Sequence, residues 1–134
     1  MYMKKIIFTL FMLVGSLFAA YSQALPTPEF VAKKIPIVDI RTPAEWQQTG
    51  IIKGAIPIMF FDEQGGFNVN RFLKELNAKV DTSKPFALIC HTGNRTKIVA
   101  QFLAQKLHYD VIDLVGGMDE AARRGVNIVP YKAK

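Results

Sequence analysis

The only cysteine of the chain lies where nucleophilic chemistry is expected. Cys90 ends an unbroken apolar run that begins at Phe86, and a short polar loop containing Gly93 and Arg95 follows it. Glycine allows a loop to aim several amide N–H groups at one point, and arginine adds a permanent cation with forked donors. These groups, and a helix predicted to start near Arg95, favour the thiolate form of a neighbouring cysteine. We therefore interpret the loop as an anion cradle with a nucleophilic thiol at its base.

A second interpretation treats Cys90 as a small hydrophobic residue at the end of a core strand, because buried free cysteines are common in proteins. The polar loop favours the functional interpretation. So does the predicted export of the chain, since an unused thiol is a liability in an oxidising compartment.

The first residues predict that export. Lys4 and Lys5 precede an apolar run over residues 6–18, and small residues follow at Ser22 and Ala24. This pattern is typical of a cleaved signal peptide, whereas a membrane-spanning helix needs about 20 apolar residues. We predict a cleaved signal peptide over residues 1–24 and one domain over residues 25–134. The mature protein is then periplasmic or secreted, with no stable membrane span.

Composition narrows the class of protein further. The chain has 134 residues, of which 50% are hydrophobic and 21% charged, so disorder and collagen-like repeats are excluded. One cysteine cannot form an intramolecular disulfide or a multi-cysteine metal site. The net charge is +6, and without Lys4 and Lys5 of the predicted signal peptide it is +4, which is a mild bias toward small anions. It does not indicate nucleic-acid binding, because no basic run alternates with exposed aromatic residues.

The elements that must position the loop alternate between strand and helix. Apolar runs predict strands, and helical spacing of apolar residues predicts helices that begin near residues 43, 70, 95 and 118. Thr42, Pro43 and Glu45 form a predicted capping box for the first of these helices. The alternation predicts an α/β fold whose parallel sheet is covered on both faces. Ligands bind such sheets at the carboxyl ends of the strands, where Cys90 lies.

Four motifs, in order along the chain, together resemble the rhodanese family. Residues 90–96 resemble its Cys-x-x-Gly-x-Arg-Ser/Thr active loop, and residues 38–46 resemble its Asp-x-Arg and Glu-aromatic opening. Residues 50–55 and 114–117 resemble its Gly-His-Ile-x-Gly-Ala and Leu-x-Gly-Gly segments. Two positions depart from the pattern: Ile51 replaces the usual histidine, and Ala121 stands where a tryptophan is often found.

The resemblance implies a rhodanese-like fold with about five parallel strands, and sulfur transfer without a metal or other cofactor. A sulfane sulfur would move from a small anionic donor such as thiosulfate to Cys90, and then to cyanide, a thiol or a thiol-redox protein. The resemblance assigns catalysis to Cys90 and substrate binding to His91, Thr92, Gly93, Asn94, Arg95 and Thr96. It assigns structural roles to Asp39, Arg41, Glu45, Gly116 and Gly117.

Two other functions are compatible with this architecture. Related cysteine phosphatases and arsenate reductases resemble the fold, but their active loop is longer than the four residues between Cys90 and Arg95. The shorter loop favours a single sulfur atom over a tetrahedral oxyanion. Other rhodanese-like domains are binding modules or persulfide carriers, and the sequence does not distinguish a carrier from a turnover enzyme.

Overall fold

The computed structural model describes residues 20–133 and has a five-stranded parallel sheet at its centre. The order of the strands is β1-β6-β5-β2-β4, and a separate antiparallel pair joins β3 to β7. The strands are β1 Tyr21–Ala24, β2 Ile37–Asp39, β3 Ile51–Ile52, β4 Ile56–Pro57, β5 Phe86–Ile89, β6 Val111–Leu114 and β7 Ile128–Val129. The helices are α1 Pro28–Ala32, α2 Pro43–Thr49, α3 Val69–Lys79, α4 Asn94–Leu107 and α5 Gly117–Arg123. The predicted α/β fold with about five parallel strands is confirmed.

The central strand β5 divides the interior into two apolar clusters. Phe86, Leu88 and Cys90 belong to a cluster that includes buried residues of α3 and α4. Ala87 and Ile89 belong to a second cluster, with buried residues of α1 and α5. Alternate residues of a strand point to opposite faces, so both faces of the sheet are covered. Cys90 therefore continues the alternation of β5 into the loop that follows.

Strand β1 lies inside the segment that the sequence assigns to the signal peptide. Tyr21 to Ala24 pair in parallel with Val111 to Leu114 along the full length of β6. Four residues of that segment therefore form an edge strand of the described sheet, and the domain boundary at Leu25 stays a prediction. The apolar run at 6–18 lies outside the described residues, and cleavage of a signal peptide stays a prediction. No helix within residues 20–133 is long and apolar enough to cross a membrane.

Besides β1, three short elements were not predicted from the sequence. Helix α1 lies in the proline-rich segment 25–34, where Thr27 caps it by accepting a hydrogen bond from the Phe30 amide at 3.0 Å. Strands β3 and β7 have two residues each, and their hydrogen bonds bring the chain after α5 back beside the end of α2. Elements this short have too few residues to show a hydrophobic period.

Candidate active site

Cys90 lies at the carboxyl end of β5, beneath the loop that leads into α4. Its sulfur accepts a hydrogen bond from the Gly93 amide, with N and Sγ 3.2 Å apart. The residue is 1% exposed, so the thiol lies at the floor of the loop. A reagent must therefore present a slender group to reach the sulfur.

The loop meets α4 without a side-chain cap. Gly93 is the N-cap residue, with φ at +98°, and it makes no side-chain hydrogen bond to the first turn of the helix. Residues with a Cβ rarely adopt this backbone conformation, so the turn depends on glycine. Uncapped amides and the helix dipole favour a negative charge at this end of α4. The N-terminus of α4 thus provides the favourable electrostatic setting that the sequence predicted for the loop.

The start of α5 packs directly on the back of the same loop. The Met118 amide donates to the Cys90 carbonyl at 2.8 Å, and the Asp119 amide donates to the His91 carbonyl at 3.1 Å. A Cβ on Gly117 would lie 2.5 Å from both carbonyl oxygens. Gly116 is close as well, because its backbone nitrogen lies 3.0 Å from the position of a Cβ on Gly93. The two glycines of the Leu-x-Gly-Gly segment are therefore what allows this close approach.

Arg95 is already paired with a carboxylate. Its two terminal nitrogens donate to the two oxygens of Glu45 at 2.6 and 2.7 Å. This pairing, with the Thr42 amide in support, lowers the pKa of Glu45 to about 2. Hydrogen bonding to Glu45 is also the main reason that the pKa of Arg95 is raised, with a smaller contribution from the charge of Cys90. The sequence analysis gave Glu45 a structural role and did not foresee Arg95 as its partner; the role of Arg95 in substrate binding stays a prediction.

The Asp39–Arg41 pair is fully buried at the carboxyl end of β2, the strand next to β5. Arg41 is 1% exposed and donates to Asp39 at 2.8 Å and to the Gly50 carbonyl at 2.7 Å. Trp46 of α2 donates its indole N–H to the same carboxylate at 3.2 Å. These contacts tie β2 to the middle and the C-terminal end of α2, which is the kind of structural role that the sequence analysis predicted for the pair.

The remaining loop residues divide between the surface and the interior. His91, Thr92 and Asn94 are exposed, and His91 Nε2 lies 3.1 Å from an Asp119 carboxylate oxygen. Thr96 is fully buried, because its side chain turns inward below Cys90. The structure therefore places Thr96 behind the thiol and not on the face that a substrate would approach.

Two residues near the thiol were missed by the sequence analysis. Asp113 of β6 is 2% exposed and accepts a hydrogen bond from Thr96 at 2.6 Å. Tyr21 of β1 donates to the other oxygen of the same carboxylate at 2.8 Å. An aspartate inside an otherwise apolar strand was the available signal for Asp113. The assignment of Tyr21 to the signal peptide concealed its role.

The two departures from the family pattern lie outside the loop that contains Cys90. Ile51 is half-buried in β3, where it pairs with Val129 of β7. Ala121 is fully buried in the cluster shared by α1 and α5. Both side chains therefore have packing roles.

Comparison with known proteins supports the resemblance to the rhodanese family. The model of the rhodanese-like domain matches residues 23–123, which contain every residue of the site except Tyr21. A Rickettsia prowazekii protein, described as uncharacterised, is 31% identical over 102 residues, or 72% of this chain and 81% of the relative.

Two solved structures illustrate the range of similar folds. The protein Rv0390 of M. tuberculosis has a TM-score of 0.62 at 19% identity, over 84% of this chain and 98% of its own. A Rhodopseudomonas palustris protein, described as of unknown function and a possible tyrosine phosphatase, has a TM-score of 0.51 at 25% identity, over 75% of each chain. Because the family model covers most of the described residues, including the loop from Cys90 to Thr96, the chain belongs to the rhodanese-like domain family.

Proposed function

We propose that this domain is a sulfurtransferase that carries sulfane sulfur as a persulfide on Cys90. The observation that carries the proposal is the placement of one thiol at the floor of a four-residue loop, with the Gly93 amide donating to its sulfur at 3.2 Å. The uncapped N-terminus of α4 adds a field that stabilises negative charge at the same place. A thiolate in this setting has the two things that covalent catalysis requires, a nucleophile and stabilisation of the charge.

The first half-reaction makes the persulfide. The Cys90 thiolate attacks the outer sulfur of a donor such as thiosulfate, a new S–S bond forms, and the S–S bond of the donor breaks. Sulfite leaves with the bonding electron pair, so the persulfide keeps the single negative charge of the thiolate. The buried position of Cys90 supports a donor whose reactive end is one narrow atom.

The second half-reaction returns the enzyme to its starting state. A thiol, cyanide or a thiol-redox protein attacks the outer sulfur of the persulfide, and the Cys90 thiolate leaves. Arg95 assists both half-reactions from its position beside Glu45. A guanidinium has five N–H donors, and two of them are used by Glu45. Arg95→Ala should therefore weaken sulfur transfer without abolishing it, because the amides of the loop remain.

Mass spectrometry of the intact domain after incubation with thiosulfate tests the proposal. We expect a mass gain of one sulfur atom that disappears when cyanide is added. The matched control is Cys90→Ser, which keeps the size of the side chain and should gain nothing. An unmodified wild-type domain, or equal modification of the serine variant, would contradict the proposal.

Because of two observations, the experiment must also test for competing functions. The similarity to a possible tyrosine phosphatase makes an aryl phosphate the appropriate second substrate, and the short loop predicts no hydrolysis. The burial of Cys90 is also compatible with a domain that only carries a persulfide. Repeated turnover with thiosulfate and cyanide identifies an enzyme, whereas a single stoichiometric transfer identifies a carrier.

We further propose that the reaction takes place outside the cytoplasm, in the periplasm or in the medium. The support is the sequence pattern of residues 1–24. Fractionation of cells that express the full chain, followed by mass measurement of the product, tests both export and the position of any cleavage. Recovery of the uncleaved chain from the cytoplasm would reject the location.

A further inference from the structure

An apolar groove, called here the α4 groove, runs between α4 and the segment that joins β4 to α3. The described residues that line it are all apolar, namely four phenylalanines, Val69, Ile98 and Val99. Among the large apolar side chains of residues 20–133, four are exposed, and two of them lie in this groove, Phe67 at 62% and Ile98 at 63%. The groove therefore concentrates apolar surface that the fold itself does not bury.

The size of the α4 groove matches a small organic molecule. Its volume is about 380 Å³, within the range of clefts that bind small ligands. An apolar cavity of about 150 Å³ is enough to bind benzene, so this groove has room for an aromatic ring and a short alkyl chain. A stable protein–protein interface takes about 20–30 residues from each partner, which is more than this groove provides.

One wall of the groove is held in place by its own aromatic rings. Phe67 stacks on Phe60, with ring centroids 5.7 Å apart and an angle of 16° between the planes, and its ring meets that of Phe61 edge-on at 5.6 Å. Asp62 closes the loop between these rings by accepting a hydrogen bond from the Gly66 amide at 2.7 Å. A ligand would not have to order this wall, so little binding energy is lost on arranging it.

The other wall is a face of α4 that begins beside the active loop. Arg95, Ile98 and Phe102 are three and four residues apart, so they lie on one face of the helix. Ile98 follows Arg95 by about 5 Å along the helix axis. Val99 lines the groove and also belongs to the apolar cluster that contains Cys90. The groove is therefore within about one helical turn of the arginine in the candidate active site.

The backbone hydrogen bonds show how far the groove lies from the thiol. The Ile40 amide donates to the Ile89 carbonyl at 3.0 Å, and the Phe60 amide donates to the Ile40 carbonyl at 3.1 Å. These bonds extend the sheet sideways from the end of β5, near the level of Cys90. Neighbouring strands lie about 4.8 Å apart, so the backbones of Cys90 and Phe60 are roughly 10 Å apart. A molecule of about that length can contact the groove and reach the sulfur.

The chemistry of the two half-reactions identifies the occupant. Thiosulfate and cyanide are small anions without an apolar part, so neither gains binding energy from an apolar groove. A thiol acceptor has an organic body in addition to its sulfur. The burial of Cys90 admits only a slender reactive end, and a body held to one side of the loop meets that requirement.

We propose that the α4 groove binds the aromatic or branched aliphatic body of an organic thiol that accepts sulfur from Cys90. The inference rests on the proposed sulfur transfer and names the class of its acceptor. The acceptor sulfur forms a new S–S bond with the outer sulfur of the persulfide, and the bond between that sulfur and Cys90 Sγ breaks. The thiol proton passes to the transferred sulfur, and the Cys90 thiolate leaves with the bonding electron pair. The product is an organic persulfide, and atoms and charge balance.

Steady-state sulfur transfer from thiosulfate to three acceptors tests the proposal. The acceptors are phenylpropanethiol, which has an apolar body, and mercaptoethanol and cyanide, which have none. We expect Ile98→Ser and Phe67→Ser each to lower kcat/KM for phenylpropanethiol by about tenfold, through a higher KM, because each removes apolar contact with the body. With the other two acceptors kcat/KM should stay at the wild-type value, which also shows that the variants are folded.

Leu25→Ser is the matched control. Leu25 is 45% exposed and follows β1, at the opposite end of the strand order from β4, so it lies outside the groove. Its kcat/KM should match that of the wild type with all three acceptors. Equal values for phenylpropanethiol in Ile98→Ser and Leu25→Ser would overturn the proposal. A wild-type dimer that dissociates in Ile98→Ser, seen by sedimentation, would assign the groove to a second copy of the chain and overturn it as well.

Binding to the groove is measured separately with toluene and the Cys90→Ser variant, which cannot form a persulfide. In NMR spectra, toluene should shift the methyl signals of Ile98 and Val99 and leave those of Leu25 in place. If these shifts appear while thiosulfate leaves the wild-type domain unmodified, the groove stands as a binding site and the sulfurtransferase proposal fails. If sulfur reaches cyanide but toluene shifts neither signal, the sulfurtransferase proposal stands and the groove proposal fails.

Discussion

Two strand-to-helix turns lie side by side at the carboxyl edge of the sheet and are built in opposite ways. The closed turn, residues 39–42, follows β2, and the open turn, residues 90–93, follows the adjacent strand β5. In the closed turn Thr42 and Glu45 form a complete capping box, and Arg41 fills the space beneath. In the open turn Gly93 provides no side-chain cap to α4. A turn that satisfies its own amides adds stability, whereas one that leaves them unpaired can bind an anion.

Glu45 connects the two turns. It belongs to the first turn of α2, and its carboxylate also holds Arg95 in the first turn of α4. The stable turn thus fixes the position of the cation beside the open one. Four predictions test this division of roles, in order of decreasing effect.

Arg41→Met should cause the largest loss of stability, because it leaves the buried Asp39 carboxylate without its cation. We expect the free energy of unfolding to fall by about 3–5 kcal/mol, measured by urea denaturation. Arg71→Met is the control, since its ion pair with Glu75 has both side chains 39% exposed. That variant should lose no more than about 1 kcal/mol. Similar losses in the two variants would mean that the closed turn does not depend on its ion pair.

Gly117→Ala should disrupt the open turn through its support in α5. Gly117 and Gly125 both have positive φ, at +61° and +75°, but a Cβ at Gly125 meets nothing within 4 Å. The Gly125→Ala variant therefore measures backbone strain alone, about 1 kcal/mol. Gly117→Ala adds the collision with the Cys90 and His91 carbonyls. We expect a loss of about 2–3 kcal/mol, together with reduced persulfide loading by mass spectrometry. Equal losses would show that the carbonyl contacts are unimportant.

Thr42→Ala should destabilise the closed turn and leave persulfide formation at the open turn unchanged. Loss of the cap costs about 1 kcal/mol of stability, and Thr42→Ser should recover most of it. Persulfide loading on Cys90 should stay at the wild-type level in both variants. A large loss of loading in Thr42→Ala would show that the two turns are more strongly coupled than the structure indicates.

Glu45→Gln should have the smallest effect on stability, and this effect should be visible at acid pH. The pKa of Glu45 is about 2 in the folded protein, against 4.5 for a free side chain. A lowered carboxyl pKa contributes stability that is present above pH 4.5 and is lost as the pH falls toward 2. The melting temperature of the wild type should therefore fall more steeply across this window than that of Glu45→Gln. Arg95→Gln should flatten the curve in the same way, and an unchanged slope in either variant would contradict the pairing.

Local features of both turns could be predicted from the sequence. The capping box depends on residues three positions apart, and the active loop is one continuous segment, so both were visible in the sequence. The groups around the thiol could not be predicted, because they contact residues that are distant in the sequence. Glu45 and Arg95 are 50 residues apart, and Tyr21 and Asp113 are 92 apart. No local pattern connects such pairs, and only the order of the strands brings them together.

The position of β1 at the edge of the sheet makes the place of any N-terminal cleavage important for the fold. A protease that cuts before Tyr21 would leave a full sheet and a carboxylate with both of its hydroxyl donors. One that cuts after Ala24 would expose the backbone of β6 and remove one donor from Asp113. Two proteins with the same loop around Cys90 would then differ in the edge of the sheet and in the hydrogen bonds of Asp113.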